Sequence, residues 1–160
     1  MKVIFPGSFD PVTRGHLNII VRASALFDEV VVAVLVNQEK RQLFSTPEKI
    51  EMLNELLYDY HNVTVKEFSG LLVDFVQNEK ANAVVRGIRT AADFDYERQL
   101  SLLNHSLYSG MEEIFLLTDA HYAHVSSSFA REVASFGGDV SGLVTENVAR
   151  RLRAKFNKTS

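Results

Sequence analysis

The stretch that decides the fold is the first twenty residues, MKVIFPGSFDPVTRGHLNII (1–20). Val3-Ile4-Phe5 is predicted to form a short strand, and a turn rich in proline and glycine follows it. Apolar residues then recur at helical spacing, which predicts a helix whose inner face carries Leu17, Ile20, Val21 and Ala25. A strand that passes through a tight turn into an amphipathic helix is the first half of a βαβ unit.

The rest of the chain repeats this alternation. Further strands are predicted at 29–36, 62–68, 81–87 and 112–118. Further helices are predicted from Thr46 as N-cap, and at 70–80, 91–108, 126–136 and about 146–156. We therefore expect a single α/β domain over 1–160, a doubly wound five-stranded parallel sheet in three layers with a C-terminal helix.

The composition excludes several classes of protein. The 160 residues are enough for one buried core, and 46 % of them are apolar. The absence of cysteine excludes disulfides, thiolate catalysis and cysteine-ligated metals, and it suits a cytoplasmic protein. A net charge of −3 argues against nucleic acid as a partner, and no apolar run is long enough to predict a membrane span.

Ligands of open parallel sheets bind beyond the carboxyl ends of the strands, where the unusual residues of this chain lie. The turn after the first strand offers Ser8, Asp10 and His16, and a histidine in the first turn of a helix can donate to a phosphate oxygen. The alternative is a plain turn with a surface histidine. No G-x-G-x-x-G motif is present, which disfavours a dinucleotide site.

Two basic segments follow later strands. Lys40-Arg41 is either a phosphate clamp or a solvated surface pair. Arg86 ends a buried strand, with Gly87 and Arg89 behind it, so two guanidinium groups flank a glycine and suit a polyphosphate. The alternative is a set of salt bridges to the carboxylates that follow at 93–97.

Two further candidates stand at helix starts. Asp93 and Asp95 are typical helix caps, whereas Glu97 is within reach of Arg89 or of a ligand hydroxyl, and Asn104 lies downstream. The serines 126–128 either cradle phosphate or only cap a helix, for which one serine is enough.

Together these motifs resemble a known group of enzymes. Thr13-Arg14-Gly15-His16 resembles the T-x-G-H motif of nucleotidyltransferases, and Val125 to Ser128 with Arg131 resembles their second signature, I-S-S-[ST]-x-x-[RK]. With Lys40 and the segment VVRGIRTAADFDYE (84–97), the chain resembles the phosphopantetheine adenylyltransferase family from Val3 to about Arg153. The resemblance implies a Rossmann-like nucleotidyltransferase fold.

The resemblance also implies a function. Members transfer the adenylyl group of ATP to 4′-phosphopantetheine with Mg²⁺ held mainly through the ATP phosphates and with no direct protein ligand assigned, are usually homohexamers, and are inhibited by coenzyme A. By similarity, the catalytic residues are His16, Lys40, Arg89 and Ser127. Those that bind the acceptor substrate are Ser8, Lys40, Leu72, Arg86 and Asn104. Those that bind ATP are Ser8, Phe9, His16, Gly87, Ile88, Arg89, Glu97, Tyr122, Ala123, His124, Val125, Ser126, Ser127 and Ser128.

Such a reaction needs no strong base and no covalent enzyme intermediate, because the acceptor phosphate is itself an ionised nucleophile. Positioning and charge stabilisation are then sufficient, so the lack of cysteine is no obstacle. Two alternatives stay open: a transferase of the same superfamily with another acceptor such as nicotinate mononucleotide, and a non-catalytic nucleotide sensor. The presence of His16 and Lys40 argues against the sensor.

Overall fold

The computed structural model describes residues 1–36 and 41–157. The strands are β1 (Lys2–Gly7), β2 (Glu29–Leu35), β3 (Val63–Phe68), β4 (Ala83–Ile88) and β5 (Glu112–Leu117). The helices are α1 (Arg14–Leu26), α2 (Thr46–Leu56), α3 (Leu72–Asn78), α4 (Ala91–Leu107), α5 (Ser127–Ser135) and α6 (Glu146–Asn157), and a 3₁₀ turn spans Ala120–Tyr122. No helix in these two ranges has the length and apolar character needed to cross a membrane.

All five strands are parallel, in the order β3-β2-β1-β4-β5. The chain winds outward from β1 to β3 and then crosses to β4, so β1 and β4 are neighbours with crossovers leading in opposite directions. This is the switch point of a doubly wound sheet, and the predicted fold class is confirmed.

One core lies on each face of the sheet, which gives the three layers. On one face, α1, α2, α5 and α6 bury residues such as Ile20, Leu53, Ala130 and Leu152. On the other face, α3 buries Val73 and Val76 against the central strands. The continuous β-branched run of β2 is explained by this arrangement, because the strand is covered from both sides.

Helix α4 is an exception, since none of its residues is buried. Its exposed apolar side chains include Leu102, Leu103 and Leu107, and Leu117 of the neighbouring edge strand β5 is exposed as well. An apolar surface of this kind is typical of a contact between molecules.

Two local predictions were wrong. The N-cap of α2 is Ser45 and not Thr46, because Ser45 and Glu48 form a reciprocal capping box in which the backbone N–H of Ser45 donates to Glu48 Oε2 at 2.7 Å. In α1 the fully buried positions include Ile19 and Ala23, whereas Ala25 is exposed.

Candidate active site

A cavity of about 240 Å³ opens at the switch point, beyond the carboxyl ends of β1 and β4. The N-termini of α1 and α5 and the start of α4 complete its wall. Among the predicted residues, those that line it are His16, Arg86, Gly87, Arg89, Glu97, Val125, Ser126 and Ser127. The structure thus brings together residues from four separate segments of the sequence.

His16 is held in one orientation by the N-cap of α1. The ring Nδ1 of His16 accepts a hydrogen bond from the backbone N–H of Thr13 at 3.0 Å. The backbone N–H of His16 donates in return to Thr13 Oγ1 at 3.3 Å. An acceptor Nδ1 places the ring proton on Nε2, so the neutral imidazole is a donor there. Burial, with a smaller effect of the Arg89 charge, lowers the pKa of His16 from 6.5 to about 4.

Arg86 and Glu97 face each other across the cavity wall. The Arg86 Nε and Glu97 Oε2 atoms are 3.3 Å apart and both side chains are mostly buried, yet neither atom has a hydrogen-bond partner within the described residues. Burial raises the pKa of Glu97, Arg86 opposes that rise, and the carboxylates of Glu113 and Asp93 add to it. A guanidinium with an unused donor in a cavity is suited to an anionic ligand.

Arg89 is fixed by two contacts at the start of α4. Its Nε donates to Asp93 Oδ2 at 3.1 Å, and its Nη1 donates to the carbonyl oxygen of Val125 at 2.9 Å. Burial would raise the pKa of Asp93, but the hydrogen bonds from Arg89 outweigh it and hold this pKa below its usual value. The predicted salt bridges to the 93–97 carboxylates therefore exist, and both arginines also line the cavity.

The glycines of the site give space to protein groups. A Cβ on Gly87 would lie 2.9 Å from Ile19 Cγ1, so this glycine lets α1 pack closely on β4. A Cβ on Gly7 would lie 3.1 Å from the ring of Phe9, which has a φ of 47° and turns back into the core. Both glycines therefore have a packing role, and Gly87 also lines the cavity.

The serine segment divides its tasks. Ser126 is the N-cap of α5 and accepts from the N–H of Phe129 at 3.1 Å. Ser127 Oγ donates to the carbonyl oxygen of Pro11 at 2.7 Å, which ties α5 to the loop after β1. Ser128 is exposed and does not line the cavity.

Asp10 braces that same loop. Its carboxylate accepts from the backbone N–H of Leu43 at 2.9 Å and of Phe44 at 2.8 Å, and Arg131 donates to its carbonyl oxygen. The loop after β1 is therefore bound to the segment that precedes α2.

Several predicted residues do not line the cavity. Ser8 is exposed on the loop after β1, and Leu72 and Asn104 lie on α3 and α4. Phe9 and Ile88 have buried side chains. Ala123 and His124 are also outside the cavity lining, and Tyr122 lines a separate pocket beside α1. Lys40 lies outside the described residues.

The cavity residues that the predicted site set missed include Thr13, Thr118 and Tyr96. The sequence does indicate Thr13, because T-x-x-H has the spacing of a capping box with histidine in place of the usual acidic or amide residue. Thr118, just after β5, had a weaker signal, as a polar residue at the carboxyl end of a strand. No feature of the sequence indicates Tyr96, since the sequence does not show whether an aromatic side chain on a helix faces the cavity or the solvent. Among residues 1–36 and 41–157, no three acidic or histidine side chains converge as a metal site.

Residues 4–133 match the family model described as cytidylyltransferase-like. A phosphopantetheine adenylyltransferase of Thermobifida fusca is 51 % identical over 155 residues, which cover 97 % of this chain and 94 % of the relative. One from Clostridium botulinum is 45 % identical over 154 residues, 96 % of this chain and 94 % of the relative.

The fold also occurs in a solved structure. The Plasmodium falciparum nicotinic acid mononucleotide adenylyltransferase, complexed with NaAD, superposes with a TM-score of 0.73 at 15 % identity, covering 98 % of this chain and 95 % of that one. At that identity the likeness supports the fold alone. On the sequence relatives and the family model, the chain belongs to the phosphopantetheine adenylyltransferase family, within the cytidylyltransferase-like nucleotidyltransferases.

Proposed function

We propose that this chain is a phosphopantetheine adenylyltransferase, which transfers the adenylyl group of ATP to 4′-phosphopantetheine in coenzyme A biosynthesis. The products are 3′-dephospho-coenzyme A and pyrophosphate. A phosphate oxygen of the acceptor forms the new bond to the α-phosphorus of ATP, and the bond from that phosphorus to the bridging oxygen of the β-phosphate breaks. The electron pair leaves with pyrophosphate, so charge on the phosphoryl groups is what the protein must stabilise.

The observation that carries the proposal is the convergence of His16, Arg86 and Arg89 on one cavity at the switch point of the sheet. These side chains supply one neutral N–H donor and two fixed cations. We assign His16 Nε2 to the α-phosphoryl group and Arg89, with the N-terminus of α5, to the β- and γ-phosphates. Ser127 acts there through its backbone N–H, because its hydroxyl already donates to Pro11.

The remaining assignments follow from family membership. Arg86 would hold the acceptor phosphate together with Ser8 and Lys40, and Leu72 and Asn104 would contact the pantetheine arm. The ATP set would comprise the residues at 8–9, His16, 87–89, Glu97 and 122–128, with the contacts of Phe9 and Ile88 made by the backbone.

Magnesium fits this site as an ion carried by the nucleotide. The described cavity offers arginines and hydroxyl groups that attract phosphate oxygens, and its two carboxylates, Asp93 and Glu97, are each paired with an arginine. The ion would neutralise charge on the triphosphate, and we assign no protein ligand to it.

We further propose a homohexamer in the cytoplasm, formed from one domain per chain and inhibited by coenzyme A. The exposed apolar side chains of α4 and β5 support an assembly, since a surface of this kind is seldom left to solvent.

A pyrophosphate-release assay tests the function. Purified protein with ATP and Mg²⁺ should release pyrophosphate with 4′-phosphopantetheine and not with nicotinate mononucleotide. Release with the second acceptor only would identify the other transferase of the superfamily. ATP binding without release for either acceptor would identify a nucleotide sensor.

A further inference from the structure

Two polar side chains meet between α4 and the edge strand β5, beside the cavity. Glu113 Oε1 accepts a hydrogen bond from Asn104 Nδ2 at 3.0 Å. Asn104 follows Glu97 by about two turns of α4, so both project from one side of that helix. Glu113 of β5 pairs with Val84 of β4. Val84 and Arg86 are two residues apart on β4 and so share one face of the sheet, and Glu113 lies on that same face.

A glutamate at position 113 is unfavourable for the stability of the fold. Its Oε2 is buried and has no hydrogen-bond partner among the residues that the structure describes. A buried carboxylate oxygen without a partner destabilises the fold, and an apolar residue in a strand would avoid that cost. Among the described residues, the Glu113 side chain accepts one hydrogen bond, that from Asn104.

That hydrogen bond determines how the Asn104 carboxamide is oriented. An ionised carboxylate only accepts, so the amide must turn its Nδ2 toward Glu113. The Oδ1 atom then lies on the other edge of the planar carboxamide, away from Glu113, where it can accept a hydrogen bond. With a neutral partner in place of Glu113, the two ends of the amide could exchange.

We propose that Glu113 is a positioning residue that orients Asn104 so that Asn104 Oδ1 accepts an amide N–H of the acceptor substrate. The inference rests on the proposed function, because the pantetheine arm carries amide groups and ATP contributes none. Neither Glu113 nor Asn104 lines the described cavity, and family membership assigns Asn104 to the pantetheine arm, so Glu113 acts through Asn104. The consequence is selective: Glu113 affects recognition of the acceptor and leaves recognition of ATP unchanged.

Glu113 also affects the site in a second way, through its charge. Its charge contributes to the raised pKa of Glu97, and Glu97 lines the cavity opposite Arg86. Glu113→Gln and Glu113→Asp distinguish the two effects. Glutamine keeps an acceptor oxygen at the same reach without the charge, whereas aspartate keeps the charge and withdraws the oxygen by about one C–C bond length.

The experiment is steady-state pyrophosphate release with ATP and 4′-phosphopantetheine. For Glu113→Asp we expect KM for 4′-phosphopantetheine to rise about three- to tenfold, the effect of one hydrogen bond, with KM for ATP within about twofold of wild type. Glu113→Gln should raise the same KM by a similar factor, because a neutral amide partner lets the two ends of the Asn104 carboxamide exchange. The matched control is Glu112→Gln, the exposed neighbour on the same strand, which should change neither constant.

A double-mutant cycle completes the test. In the Asn104→Ala background, Glu113→Asp should have no further effect on KM for 4′-phosphopantetheine. An equal rise in both backgrounds, a rise caused by glutamine but not by aspartate, or equal rises for both substrates would overturn the inference. If wild-type protein releases no pyrophosphate with 4′-phosphopantetheine, it is the proposed function that fails.

Discussion

The imidazole of His16 and the backbone of Thr13 form one unit: His16 Nδ1 accepts the N–H of Thr13 at 3.0 Å and leaves Nε2–H as the donor toward the cavity. The capping box thus begins helix α1 and selects the tautomer of the histidine with the same hydrogen bond.

His16→Ala should lower kcat by about 10²- to 10³-fold, the usual effect of removing one donor to a developing charge. KM for ATP should change much less, because the proposed contacts of Arg89 and the N-terminus of α5 with the phosphates are retained. Thr13→Val is the comparison variant: it removes the hydroxyl cap but keeps the backbone N–H that orients His16, so kcat should stay within about fivefold of wild type. Near-normal turnover in His16→Ala would remove His16 from the mechanism.

The low pKa of His16 predicts a pH-dependent stability. The folded protein holds the neutral imidazole down to about pH 4, whereas the unfolded chain binds a proton below about 6.5. Stability is therefore lost as pH falls from 6.5 to 4, by roughly 3 kcal/mol from this group. Urea unfolding of wild type and of His16→Gln at pH 7, 5.5 and 4.5 measures it, and the glutamine variant should lose less. Parallel curves would contradict the shift.

The sheet could be predicted from the sequence because its strands are short apolar runs between helical patterns, and βαβ handedness then leaves few topologies. The convergence of His16, Arg86 and Arg89 followed from the rule that parallel strands end at one edge. Side-chain directions in the loops did not follow. Phe9 turns into the core at a positive φ, and Ser8 remains exposed, although the two are neighbours in the same turn.

Asp10 should be a large contributor to stability. In wild type, the backbone N–H groups of Leu43 and Phe44 donate to different oxygens of Asp10. Asparagine has only one acceptor oxygen, so one of these N–H groups would point at the NH₂ donor of the amide. We expect Asp10→Asn to lower the free energy of unfolding by about 2–3 kcal/mol. Asp139→Asn is the control, because Asp139 also accepts a backbone N–H, that of Ser141 at 2.9 Å, but in an exposed loop. It should cost under about 1 kcal/mol, and equal losses would refute the argument.

Gly87→Ala tests the close approach of α1 to β4. The new Cβ would lie 2.9 Å from Ile19 Cγ1, so the helix or the side chain must shift, and we expect about 1–3 kcal/mol of destabilisation by thermal unfolding. Ile19→Ala removes the opposing atom at its own cost of about 2–5 kcal/mol. The double variant should lose less than the two single losses together, since each relieves the other. Strict additivity would show that Gly87 is required for another reason.

The proposed hexamer makes the apolar surface of α4 testable. Leu103, 56 % exposed on α4, should lie in a contact between copies, whereas Leu26, 63 % exposed at the end of α1, should not. Light scattering after gel filtration should give wild type the mass of six 18.0 kDa chains. Leu103→Asp should give a smaller species, because a carboxylate would be buried in an apolar contact, and Leu26→Asp should match wild type. A monomeric wild type would end the proposal, and an unchanged mass in Leu103→Asp would move the interface away from α4.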